Sequence, residues 1–345
     1  MPFMKLPELL APAGSMESLK AAVQNGCNAV YLGGKQFSAR QYAGNFSIEE
    51  IEEACDYCHL RGVRVYVTVN TVYKDKELKE FLQFVGKLYA IGVDALILQD
   101  VGAAKLVQKQ YPDFCLHAST QMTANSLEDV QYWYEQGFSK VVLSRELTLP
   151  EIRYITEHTD AEVETFIHGA LCVCYSGQCI MSSMLGGRSG NRGRCAQTCR
   201  LPYTLYCGYQ KIAEGHLLSP KDIATISILP QLVDAGIASL KIEGRMKNPE
   251  YVAGVTRIYR KYLDLYEKQP ENYSVEPEDM KELLQLFNRG GFTEGYYTSR
   301  SGLDMMSVER PKTWGLKVGI VDKYLPQHKK VVIRTREPLV PGDGI

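Results

Sequence analysis

The sequence predicts an α/β fold: a (β/α)8 TIM-like barrel with a long cysteine-containing loop after its seventh strand and a β-rich C-terminal extension. Three observations predict it. Eight short apolar or β-branched runs occur in order, helical patterns fill the gaps between them, and several of those patterns close on a glycine just before the next run.

The runs are ELLAPAG, AVYLGG, VRVYVTVN, ALILQD, FCLHASTQ, KVVLSRE, VETFIHGA and SLKIEGR. Each has the length and composition of a strand buried on both faces. Among the connections, SIEEIEEACDYCHLRG opens on a Ser-x-x-Glu capping pattern, and KELKEFLQFVGKLYAIG carries helical periodicity up to its glycine. A doubly wound open sheet is the competing architecture. It fits less well, because no glycine-rich dinucleotide turn follows the first run and Gly33 and Gly34 lack the GxGxxG context.

One connection breaks the rhythm. About seventy residues separate VETFIHGA from SLKIEGR, with ATISILPQLVDAG as their one helix-like segment. In a barrel, such a strand-to-helix loop lies on the C-terminal face, where active sites are built. After the last barrel helix, NPEYVAGVTRIYRKYLDLYEK, a polar stretch QPENYSVEPEDM reads as a linker. The segment LKVGIVDKYLPQHKKVVIRTREPLVPGDGI reads as the start of a β domain cut off at Ile345. The expected division is therefore a barrel over 1–268, with its special loop at about 166–215, and a linker plus truncated β-rich domain over 269–345.

A chain of 345 residues has ample core and needs neither disulfide nor metal merely to stay folded. Its formal net charge of -1 argues against a globally basic nucleic-acid binder but leaves room for a local basic patch. The N-terminus lacks a signal-peptide run, and no stretch of apolar residues is long enough for a membrane span. The expectation is a cytoplasmic protein whose ten cysteines stay reduced.

Six of those cysteines fall between Cys172 and Cys207. Cys172, Cys179, Cys195 and Cys199 supply four thiolates across a flexible, glycine-rich stretch, the donor set of an iron–sulfur cluster or a structural zinc. Neither the Cys-x6-Cys nor the Cys-x3-Cys spacing matches a zinc knuckle, which favours iron–sulfur. Cys174 and Cys207 are expected to pack, as are Cys27 and Cys115 at strand entrances and Cys55 and Cys58 within a helix. From Thr165 to Ala213 there is no Asp or Glu, while Arg188, Arg192, Arg194, Arg200 and Lys211 make the stretch basic. The arginines either balance a thiolate cluster or contact RNA phosphates.

At these residues the chain resembles peptidase family U32. FIHGALCVCYSGQC, NRGRCAQTCRLPYTL, LLSPKD, LKIEGRMKNPEY and FNRGGFTEGYY are similar to its signature blocks, and the likeness extends from ELLAPAGSMESLKAAVQNGCNAVYLGG through HASTQ and LSREL. The family takes its name from collagenase-like proteases. The resemblance implies a different activity: oxygen-independent hydroxylation, of a cytidine in 23S ribosomal RNA, of the tRNA wobble uridine, or of ubiquinone. It implies a [4Fe-4S] cluster on Cys172, Cys179, Cys195 and Cys199, supplied by iron–sulfur assembly machinery. For the RNA-acting members it implies prephenate as a required small molecule. Some relatives take the fourth ligand from a cysteine after the SPKD block; here SPKDIATI has none, which leaves Cys199. The short insert before LLSPKD is most similar to the ribosomal RNA 5-hydroxycytidine branch, with the tRNA branch as the alternative.

Strand-end residues are the candidate chemical groups. His117, Ser119 and Gln121 alternate and are expected to share the barrel interior, as a ligand site or as a satisfied polar layer. Arg145 and Glu146, His168, and Glu243 and Arg245 end the sixth, seventh and eighth runs. Arg145 and Arg245 suit a dicarboxylate such as prephenate, or else ion pairs with Glu146 and Glu243. His168 suits proton transfer or support of the cluster, and Asn70 a strand-end contact or a cap. Tyr175, Tyr203 and Tyr206 suit stacking on unpaired bases. A peptidase would instead pair Cys174 or Ser176 with His168, but HExxH and GxSxG are absent. A non-catalytic RNA-binding module braced by a cluster is the third reading.

Overall fold

Alternation along the strands sorts the side chains into two layers. Leu9, Val30, Val65, Val67, Leu96 and Val163 face the helices, whereas Leu10, Ala29, Tyr31, Tyr66, Ala95 and Ile97 form a separate cluster inside. Two layers of this kind fit a closed sheet, which the computed structural model shows; it describes residues 6–40, 43–298, 302–336 and 338–340. Residues 1–5 of the N-terminal reading and the final PGDGI, with the expected cut at Ile345, lie outside the described residues.

The barrel opens with β1 (Glu8–Pro12), β2 (Ala29–Gly33), β3 (Arg64–Val69), β4 (Ala95–Leu98), β5 (Leu116–Ala118), β6 (Lys140–Val142) and β7 (Glu162–Ala170). A long insertion carries β8 (Tyr203–Cys207), β9 (Gln210–Gly215) and β10 (Asp222–Ala224), after which β11 (Ser239–Ile242) returns to the barrel. β11 pairs in parallel with both β1 and β7, and this closes eight parallel strands into a ring. All eight coincide in order with the eight predicted runs.

The covering helices are α1 (Met16–Gln24), α2 (Ile48–His59), α3 (Leu78–Ile91), α4 (Val101–Gln110), α5 (Leu127–Glu135) and α6 (Leu149–Glu157). The insertion holds α7 (Met181–Gly186); α8 (Leu229–Asp234) and α9 (Pro249–Lys268) complete the ring, and α10 (Pro277–Leu286) follows. Their starts have local causes: Ser47 and Glu50 form a reciprocal capping box on α2, and Ser15, Asp100, Ser126 and Asn248 each accept from a first-turn amide.

The barrel interior is ionic below its mouth. Glu8 of β1 accepts from Lys140 at 2.8 Å, Tyr66 at 2.7 Å and Ser239 at 3.1 Å, and it also pairs with Arg64. Glu164 accepts from Lys241 at 2.8 Å and Ser239 at 2.9 Å. Side chains from β1, β3, β6, β7 and β11 thus meet in one buried network.

The segment read as a linker is part of the barrel's coat. Asp279 of α10 accepts from Lys261 and Tyr262 of α9, and β12 (Phe292–Thr293) extends the sheet beside β10. Tyr297 is buried and donates to the Phe166 carbonyl at 2.6 Å. Beyond it, β13 (Gly319–Leu325) and β14 (Lys330–Thr335) form an antiparallel hairpin, the β-rich element expected in the extension.

Candidate functional site

The C-terminal ends of the strands place Arg245, Glu243, Arg145 and Glu146 together at the barrel mouth. Arg245 is almost fully buried, yet its terminal nitrogens meet hydroxyls rather than a carboxylate: Thr68 Oγ1 at 2.5 Å and Ser38 Oγ at 2.7 Å. Burial lowers its pKa to about 10. Glu243 accepts from Tyr31 at 3.2 Å and Arg40 at 3.5 Å. Burial opposes its charge, but Arg40, Arg245, Lys241 and Arg145 outweigh that and hold the carboxyl below its ordinary range. The ion pairs envisaged from sequence are not those formed. Glu243 pairs with Arg40, and Arg145 reaches Glu146 through Ser176, with Nε donating to Ser176 Oγ at 3.1 Å and Oγ donating to Glu146 at 3.3 Å.

Several acceptors at or beneath this mouth are buried without a protein partner: Gln99 Oε1, Gln121 Oε1, Ser144 Oγ, Glu146 Oε2 and, deeper, His117 Nδ1. Buried polar groups without partners are costly in a protein core and are common where a ligand supplies the missing bonds. His117 lies in the interior as predicted, edge-on to Tyr66, and burial holds it neutral, with Lys140, Lys241 and Arg64 adding to the effect. Ser119 is buried and accepts from Asn70 at 3.3 Å. Of the three only His117 lies on β5, which ends at Ala118; Ser119 caps the 3-10 helix Thr120–Met122, and Gln121 lies within it.

His168 departs further from expectation. Between β7 and β11 the register jumps from Lys241–Phe166 to Ile242–His168, a bulge that skips Ile167. One extra residue reverses the alternation, so the ring faces α9 and β12 instead of the mouth and packs against Tyr251, Tyr259 and Phe292. Burial, with Lys247 adding, lowers its pKa to about 3, and Nδ1 lies 3.4 Å from the Tyr259 hydroxyl. The Cys174 or Ser176 pairing that a peptidase needs is not made: Ser176 is fully buried between Arg145 and Glu146.

The thiol loop is fastened across the mouth. Asn191 donates to the Gly177 carbonyl at 3.0 Å, and Thr123 to the Ser176 carbonyl at 2.7 Å. Gly193 sits against the Ser38 and Ala39 backbone, where a side chain would collide. Arg192 clasps Glu77 with two bonds of 2.7 Å and also donates to the Val72 carbonyl. Arg200 donates to Ser219, Pro220 and the Leu171 carbonyl. Two of the four expected RNA-contacting arginines are therefore committed to holding the loop; Arg188 is half-buried, and Arg194 is exposed.

Cys172, Cys179, Cys195 and Cys199 come together in this loop. Burial raises the Cys199 thiol, Arg200 opposes the rise, and Cys172, Cys195 and Cys179 add to it, so each of the other three lies within electrostatic reach of Cys199. A side chain at Gly190 would lie 3.8 Å from the Cys179 carbonyl oxygen and 3.9 Å from the Cys195 Cβ. Among the described residues no three His, Cys, Asp or Glu side chains converge tightly enough to hold a metal ion. Cys174, expected to pack, instead meets Cys179 and Cys172, and burial pushes its thiol up to about 11. Cys115 and Cys207, also expected to pack, are exposed, whereas Cys27, Cys55 and Cys58 are buried as read.

Three features escaped the sequence reading: the β8–β9 hairpin, the antiparallel β10 strand that follows the thiol loop, and Arg40 with Ser38 at the Arg245 site. The alternating YTLYC and the Gly208 turn carried a hairpin signal. Nothing local marks Arg40.

Comparison with known proteins adds the following. The model of peptidase family U32 matches residues 14–307. The chain is 41% identical over 346 residues, 98% of its length, to the 23S rRNA 5-hydroxycytidine C2501 synthase of Escherichia coli (strain K12), and covers 52% of that protein. It is 37% identical over 351 residues to tRNA hydroxylation protein P1 of Bacillus subtilis (strain 168), spanning 99% of this chain and 83% of that one. A collagenase of Porphyromonas gingivalis (strain ATCC BAA-308 / W83) is 34% identical over 307 residues, covering 84% of this chain and 73% of its own. The chain thus spans about half the length of the first of these relatives.

Proposed function

The chain belongs to peptidase family U32, and on that premise we propose that it is the barrel portion of an iron–sulfur-dependent, oxygen-independent RNA hydroxylase forming 5-hydroxycytidine in 23S ribosomal RNA. The observation that carries this reading is the juxtaposition of an acid-free loop bearing four thiols and the polar barrel mouth to which its Ser176 is bonded. The tRNA wobble uridine is the alternative substrate, favoured by the full coverage of the chain by a tRNA hydroxylation protein.

Four thiols on one loop, with Cys172, Cys179 and Cys195 each within electrostatic reach of Cys199, suit a cluster held by these four residues and installed by iron–sulfur assembly machinery. Such a cluster would supply one-electron chemistry beside the base. The chain's own residues do the rest. Arg245 and Arg145 give the mouth positive charge for an acidic small molecule, prephenate in this reading. The unpartnered acceptor atoms Glu146 Oε2 and Gln121 Oε1 orient a base through its N–H groups. Glu243 and Glu146 are the carboxylates at the mouth that can take a proton, Glu243 the less readily because the cations around it favour its charged form. His117 and His168, held neutral by burial, stabilise the barrel wall rather than exchange protons with solvent. A cytoplasmic location is part of the proposal. No helix among the described residues is long and apolar enough to cross a membrane.

The collagenase name favours a peptidase as the second reading. It is the weaker one, since Ser176 is buried in a bridge and His168 faces away. Anaerobic purification followed by iron, sulfide and zinc analysis separates the readings. The expectation is about four irons and four sulfides per chain, lost when any of the four cysteines is changed to Ala; stoichiometric zinc, or peptide cleavage by metal-free protein, would refute it.

A further inference from the structure

The β8–β9 hairpin contributes nothing to the barrel core. Most of its side chains are exposed, including Leu205 at 53%, Tyr206 at 58%, Ile212 at 54% and Tyr209 fully so. A two-stranded ribbon standing in water is marginally stable on its own, and large apolar side chains grouped on a surface mark an interaction site. The hairpin is nevertheless firmly rooted. Tyr203 donates to the Thr198 carbonyl at 2.8 Å, His216 Nδ1 lies 2.9 Å from the Arg200 carbonyl, and the His216 amide donates to the Val308 carbonyl at 2.8 Å. Its root is therefore the stretch that bears Cys199. Gly208, at φ +60°, makes the tight turn that leaves Tyr209 outermost, and Tyr206 lies directly opposite Lys211. Tyr206 is three residues from the root, roughly 10 Å along a strand.

We propose that this hairpin is a stacking arm: Tyr206 and Tyr209 hold unpaired RNA bases that flank the nucleotide presented to the barrel mouth. The inference rests on the RNA-modifying reading above and assigns it a binding surface. Charge complementarity selects RNA as the occupant. The positive charge lies at the hairpin's root: no acid occurs between Thr165 and Ala213, and Arg194 is exposed beside the thiols, whereas within the hairpin Lys211 is balanced by Glu214. Arg192 and Arg200 hold the loop, so aromatic stacking has to supply much of the affinity. Tyr203, whose hydroxyl is engaged at the root, is not part of the arm.

The test measures fluorescence anisotropy of a short labelled single-stranded oligoribonucleotide, and of its duplex, with the whole chain. The variants are Tyr206→Ala with Tyr209→Ala, and Tyr206→Phe with Tyr209→Phe. Both positions are exposed, so the fold is retained in each. The expected result is tenfold or greater weakening for the Ala pair, about what loss of stacked bases costs, near-native binding for the Phe pair, and weaker binding of duplex throughout. Unchanged binding by the Ala pair would overturn the proposal, as would an Ala pair that alters self-association in sedimentation instead of RNA affinity. The two levels separate cleanly. If gene deletion removes a hydroxylated nucleoside that the Ala pair fully restores, the arm is wrong and the enzyme stands; if hairpin-dependent binding is found with no modification lost on deletion, the arm stands and the activity is wrong.

Discussion

His168 shows how one bulge turns a predicted strand-end group into a wall residue. Its pKa of about 3 lies below that of an exposed histidine, and burial lowers His117 as well. Groups depressed in this way favour the folded state above their unfolded pKa, and the benefit is lost as pH falls toward the folded value. Stability should therefore fall below pH about 6.5, by up to about 1.4 kcal/mol per pH unit for each ring. His168→Phe, which suits the aromatic surroundings, should remove its share of that slope in urea denaturation; an unchanged slope would show that the ring titrates normally. Ser176 makes a second residue-scale case. Ser176→Ala leaves Arg145 and Glu146 without their bridge and should cost about 1–3 kcal/mol by the same assay. Under the peptidase reading its principal loss would instead be hydrolytic activity.

At the scale of elements, the thiol loop is positioned by clasps more than by its own secondary structure. Arg192→Met removes a two-bond pair to Glu77 whose side chains are partly exposed, so the expected cost is modest, about 1 kcal/mol. The loss should be local: faster amide hydrogen exchange over residues 186–200 with little change in the barrel strands. Uniform acceleration across the barrel would contradict that. The barrel strands were legible in the sequence because each is a run such as VRVYVTVN or ALILQD, buried on both faces by its own composition. The Ser47 capping box was legible for the same local reason. Gln121 and His168 were misplaced because period two was extended past the true strand end in one case and through a bulge in the other. The clustering of four cysteines was visible in sequence, but the engagement of Arg192 with Glu77 and of Arg245 with Ser38 was not, since those partners lie more than a hundred positions apart.

For the whole molecule, closure and function meet in the barrel interior. Glu8 ties β1 to β3, β6 and β11, while Lys140, at 1% exposure, pairs with Glu8 at 2.8 Å and more distantly with Glu162 at 3.4 Å. Glu8→Ala should therefore destabilise by about 3 kcal/mol, the lower end of the cost of breaking a buried pair, because Lys140 keeps its longer contact to Glu162. Urea denaturation would measure it, and a change under 1 kcal/mol would mean that water relaxes around Lys140. A closed, charged interior beneath an acceptor-rich mouth, capped by a loop of thiols, is the arrangement on which the RNA-hydroxylase reading depends. The most direct measurement is mass spectrometry of nucleosides from ribosomal and transfer RNA, after deleting the gene and restoring it as wild type or with Cys172, Cys179, Cys195 or Cys199 changed to Ala. The account predicts that one hydroxylated pyrimidine, 5-hydroxycytidine of 23S RNA, disappears on deletion, returns with the wild-type gene and stays absent with each cysteine variant. Persistence of every hydroxylated nucleoside in the deletion strain would contradict it.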